Sequence, residues 1–123
     1  MRDAAVWAVA AGFAAMGAYA LAAPARVPAL FGVSVETVDG RSEVRAVYGG
    51  FGLAVAALLG VAAAGEGGAR EGILVAVGFA LAGMAAGRLV SALADRQASP
   101  YPVVTFLGIE LVSGALLLAA AWA

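Results

Sequence analysis

Four long apolar runs alternate with short polar stretches along the chain. Ala4–Ala23 and Ala46–Gly65 carry no charge inside them, and the second follows Glu43 and Arg45. Gly72–Asp95 contains Arg88, and Pro102–Ala123 contains Glu110. Each run is close to the roughly 20 helical residues that cross a hydrocarbon layer about 30 Å thick. Runs of Ala, Leu and Val of this length, without period-two alternation, do not read as strands. The pattern predicts an all-α integral membrane four-helix bundle, forming a single four-helix transmembrane domain over residues 1–123.

The connections differ in kind. Pro24 to Glu43 joins the first two helices and holds Pro24, Pro28, Phe31 and Gly32 before the polar Glu36–Ser42. Its length by loop standards makes it a candidate lid. Gly65–Arg70 reads as a tight turn, and Pro100 and Pro102 stop and restart the chain before the last helix. Met1-Arg2-Asp3 followed by an apolar run and Ala20–Ala23 resembles a secretory leader. The run is longer than a leader core of about 7–15 residues, however, and Arg2 is offset by Asp3, which predicts retention as the first transmembrane helix.

Composition sharpens the membrane reading. The chain has 123 residues, 64% of them hydrophobic and 12% charged, with a mean hydropathy of +1.00. So few charges could not cover the surface of a soluble domain this small. All seven basic residues are Arg, and with abundant Ala, Gly and Val they suggest a GC-rich bacterial genome and a multi-pass protein of the bacterial cytoplasmic membrane. A net charge of −1 offers no footprint for nucleic acid. The absence of Cys and His removes disulfides, thiolate sites and the commonest metal ligand. No metal and no cofactor is expected, so acid–base work would fall to carboxylates, Tyr or water.

Trp7 and Trp122 are expected at one membrane interface, which an even number of spans allows. Arg26, Arg41 and Arg96 in the first and third connections outnumber Arg2 and Arg70 on the other side, leaning those connections toward the cytoplasm. Gly83 and Gly87 form a GxxxG, and Gly49, Gly50 and Gly52 cluster in helix 2. Packing inside the bundle is the first reading of both sets, and a homodimer seam or larger membrane complex is the second.

The candidate site is charged. Arg88, Ser91 and Asp95 share one helical face by their spacing, as do Arg41, Arg45, Tyr48 and Gly52. Glu43 points about 160° away from Arg45 at 100° per residue, toward helix 1 or the first connection. Phe106, Glu110, Ser113 and Leu117 share a stripe of the last helix. Arg88 precedes Asp95 by roughly 10 Å of rise and Glu110 follows Pro102 by roughly 12 Å. The matched depths predict a buried Arg88–Glu110 ion pair with Arg45, Tyr48 and Asp95 at its rim. Such a pair may be read three ways: as a register-fixing contact, as the polar floor of a pocket, or as no pair at all, with Arg88 snorkelling to the interface.

The ordered segments Glu43-Val-Arg45-Ala-Val-Tyr48-Gly49-Gly50, Gly87-Arg88-Leu-Val-Ser91 and Glu110-Leu resemble a family of small four-helix bacterial membrane proteins known as a domain of unknown function, similar in architecture to DoxX-like proteins. The resemblance covers essentially the whole chain and implies a four-helix bundle with these residues as its polar centre. It implies no activity, and no redox centre is carried over.

Three functions remain open. In the leading one, Arg45, Tyr48, Arg88, Ser91 and Glu110 bind the polar end of a membrane lipid or isoprenoid-like molecule, in a binding protein or accessory subunit. In the second, Glu110, Glu43 or Asp95 acts as acid or base in metal-independent isomerisation, cyclisation or epoxide opening. In the third, a dimeric proton-coupled exporter uses Glu110, although Arg88 at the same depth would repel cations. An enzyme predicts a cavity reaching Glu110 between two carboxylates, an exporter a carboxylate at a dimer seam, and a scaffold a closed ion pair.

Overall fold

A computed structural model describes residues 2–123. Met1 and the side chain of Arg2, which enter the leader reading and the charge count across the membrane, lie outside the described residues. Helix α1 spans Arg2–Ala22 and stops just before Pro24. One turn, α2 (Arg26–Ala29), follows, and Gly32 then reverses the chain with φ 75°, a conformation that only glycine adopts freely. Thr37 starts the next helix, its Oγ1 accepting from the Gly40 N–H at 2.9 Å. Helix α3 (Val38–Val44), a π-helical segment Arg45–Gly50 and helix α4 (Phe51–Ala64) then run on without a break. A two-residue link leads into α5 (Gly67–Asp95), which ends at Arg96 in the left-handed conformation. A second wide turn, Pro100–Val104, leads into α6 (Thr105–Ala121).

The fold is all-α, with no strand among the described residues, and four helices are long and apolar enough to cross a membrane. Two boundaries differ most from the sequence reading. The second helix begins at Val38 rather than Ala46, because Thr37 caps a polar first turn. The third begins at Gly67 rather than Gly72, so Arg70 stands inside the helix and not in the turn.

The helices pair as two hairpins, and each hairpin crosses where a side chain would not fit. A Cβ on Gly17 would lie 2.9 Å from the Gly49 carbonyl oxygen and from the Leu53 nitrogen, and one on Gly52 would lie 3.2 Å from the Gly17 Cα. In the other hairpin, a Cβ on Gly114 would lie 3.2 Å from the Gly78 carbonyl oxygen. Backbones brought this close replace the hydrophobic drive that lipid removes. Gly83 and Gly87 meet nothing within 4 Å. Their GxxxG faces outward, which corrects the expectation that it packs inside the bundle.

The hairpins are joined chiefly at one end. Val6, Val9 and Ala10 of α1, Val55, Leu59 and Ala62 of α4, Leu74 and Leu81 of α5, and Leu117 and Ala120 of α6 form the shared core. A second cluster of Ala20, Val27 and Val44, with Val35 against it, belongs to the first hairpin and its connection alone. The π segment packs on α1, α3 and α4 and has no comparable contact with α5 or α6. The bundle is thus bolted at the end holding Trp7 and Trp122 and looser at the other.

Candidate functional site

Arg88 and Glu110 continue the buried stripes of their helices. On α5 the inward positions are Arg70, Leu74, Gly78, Leu81 and Ala85, and Arg88 is the next in that spacing. On α6 they are Glu110, Gly114, Leu117 and Ala120. Both charges therefore sit where the pattern places core residues, at the loose end of the bundle. They meet there side-on: Arg88 Nε donates to Glu110 Oε1 at 3.0 Å and Oε2 at 2.8 Å, and Nη2 donates to Oε1 at 2.8 Å. This is the expected ion pair, in the forked geometry that suits guanidinium to carboxylate. Snorkelling is set aside.

The pair is sealed unequally. Glu110 is 4% exposed, while the Arg88 side chain keeps 23% of its surface accessible. With Nε and Nη2 spent on the carboxylate, Nη1 projects from the opposite edge of the planar group. It carries no hydrogen bond among the described residues. Two rings cover the guanidinium: Phe31 with its centroid 5.2 Å from Cζ, and Phe106 at 5.8 Å. The rings lie 5.5 Å apart. Phe106 comes from α6, but Phe31 comes from the connection of the other hairpin. Contacts of this kind contribute about 0.5–2 kcal/mol, more when desolvated.

The rim departs from expectation. Arg45 does not turn to the pair: its Nε donates to the Leu21 carbonyl at 3.1 Å and caps α1. The π segment widens the helix, so the stripe drawn on an ideal α-helical pitch breaks, and Gly52 faces α1 instead. Tyr48 is exposed on the π segment and makes no hydrogen bond among the described residues. Glu43 is exposed, without an ion pair or hydrogen bond among the described residues. Ser91 and Asp95 share the Arg88 face and line a surface depression of about 400 Å³ with Ala92, Gln97, Ala98, Ser99 and Val103. It opens one turn from Arg88, and Glu110 is not among its walls.

The opposite end has a polar centre that the sequence reading passed over. Arg70, 5% exposed, donates to the Ala62 carbonyl at 2.7 Å and the Ala120 carbonyl at 3.4 Å. It also pairs with Asp3 at 3.0 Å. One guanidinium thus ties the start of α1 to the last turns of α4 and α6. Trp122 Nε1 donates to Glu71 at 3.1 Å beside it, and Trp7 packs at Gly60, so both indoles stand at this end. The usable signal was the i, i+4, i+8 continuation from Gly78 through Leu74 back to Arg70.

Among the described residues no three His, Cys, Asp or Glu side chains cluster as metal ligands. A family described as a domain of unknown function, DUF4345, matches residues 1–121. No curated protein and no solved structure matches the chain.

Proposed function

The chain belongs to the DUF4345 family, whose function is unknown, and we propose that it is a membrane-embedded binding protein for an amphiphile whose polar end docks at the open edge of Arg88. The supporting observation is the unequal sealing of the ion pair. Glu110 is closed off inside α5 and α6, while beside Phe106 of α6 the guanidinium of Arg88 is roofed by Phe31, a ring borrowed from a connection rather than from the helix pair. A charge buried only for helix register would be expected to be covered by its own helices. Phe31 lies beside Gly32, whose left-handed conformation makes the turn, and it acts as a flap over the guanidinium. The proposal extends to a role as an accessory subunit and to the bacterial cytoplasmic membrane. The likeness to DoxX-like architecture rests on the ordered motifs alone.

A second reading draws on the closure of Glu110: the pair locks α5 against α6 in register and binds nothing. The enzyme reading is weaker. Glu110 would have to leave its fork to move a proton, and neither Glu43 nor Asp95 bonds to the pair. The exporter reading needs Glu110 at an outer seam, whereas it is buried within one chain.

Native mass spectrometry of the protein purified in mild detergent tests the proposal. A co-purifying amphiphile is expected on the native chain. It should be lost when the pair is replaced by apolar residues (Arg88→Met with Glu110→Leu), a change that leaves no unpaired charge. A folded native chain that carries no such molecule supports the lock instead.

A further inference from the structure

We infer that the Arg88 site takes a neutral polar end, a carbonyl or hydroxyl oxygen, and discriminates against both carboxylate or phosphate anions and ammonium cations. This deepens the binding proposal above and rests on it. The reason is charge accounting at the fork. Arg88 and Glu110 bond through Nε and Nη2 at 2.8–3.0 Å, so the pair as a unit is neutral. Arg45, the cation expected at the rim, is turned away to the Leu21 carbonyl. It does not stand by to neutralise an incoming anion.

An anion seated on Nη1 would therefore bring an uncompensated negative charge into a region where Glu110 already supplies one. That is costly at low dielectric. Asp95, exposed two turns further along the same face of α5, adds a second negative charge on that side. A cation would meet the guanidinium itself. A neutral oxygen acceptor avoids both penalties, because the unspent N–H groups on Nη1 need acceptors and have none among the described residues. Phe31 and Phe106 stand side by side over the guanidinium, their centroids 5.5 Å apart, so the rings cover only one side of it.

The test is a titration of the full chain in detergent micelles, followed by native mass spectrometry, with four probes of matched length: 2-heptadecanone, hexadecan-1-ol, palmitate and hexadecyltrimethylammonium. The ketone and the alcohol are expected to bind at least about tenfold more tightly than either ion. The Arg88→Met, Glu110→Leu double variant should lose most of that preference, and the outward-facing Gly83→Ala should keep it. Palmitate or the ammonium binding as tightly as the ketone, with the double variant abolishing it, would overturn the neutral-headgroup inference and leave the amphiphile proposal standing. Four equal affinities that the double variant does not change would overturn both.

Discussion

Arg88 and Glu110 share a fork of three contacts between 2.8 and 3.0 Å, yet the carboxylate is sealed and the guanidinium is not. One partner belongs to the core and the other to its edge. Stability and binding are therefore separable at this pair, and substitutions can pull them apart.

Removing one member should cost far more than removing both. Arg88→Ala strands the sealed carboxylate, and the loss is expected at about 3–5 kcal/mol, the range for breaking a buried pair. The Arg88→Met, Glu110→Leu double variant should fall within about 1 kcal/mol of the native chain or above it. Thermal unfolding in a common detergent, compared across single and double variants, checks this. A double variant as unstable as the worse single one would mean that the pair does not act as a unit.

Phe31 should matter little to the bundle and much to the flap. Phe31→Ala is expected to cost about 1 kcal/mol, the scale of a cation–π contact. Hydrogen exchange should speed up across residues 30–37 and stay unchanged in α5. Faster exchange throughout α5 and α6 would show instead that the ring holds the helices together.

The glycines divide by what surrounds them. Gly17→Ala forces a methyl to within 2.9 Å of backbone in the facing helix, so about 1–3 kcal/mol of destabilisation is expected from overpacking. Gly83→Ala meets open space and should be neutral or stabilising by up to about 1 kcal/mol through helix propensity. Melting curves for both variants decide it. A large loss at Gly83 accompanied by a change in oligomeric state would reveal a seam between copies.

Arg70 should prove a stability residue with no share in binding. Arg70→Ala leaves the Ala62 and Ala120 carbonyls without this donor and Asp3 without this cation. About 1–3 kcal/mol of destabilisation is expected from the lost buried hydrogen bonds. Arg70→Lys should recover only part, since one ammonium cannot span three acceptors in the planar geometry of guanidinium. Unfolding measurements test this alongside amphiphile retention, which should survive in the fraction that stays folded.

Run length, apolar content and scarce charge were enough to read the four spans from the sequence, because a hydrocarbon layer demands about 20 apolar residues whatever their neighbours. The Arg88–Glu110 contact was also legible, since helical rise turns sequence offsets from Asp95 and Pro102 into depths. Depth alone says nothing of a rim, however. Arg45 and Gly52 were misplaced because the π segment shifts the angular register, an effect invisible to a fixed pitch. Phe31 over the guanidinium, Arg70 among three helices and the outward turn of Gly83 and Gly87 were settled only by packing. Each depends on how one hairpin is set against the other, and that is decided where side chains from distant parts of the chain compete for the same space.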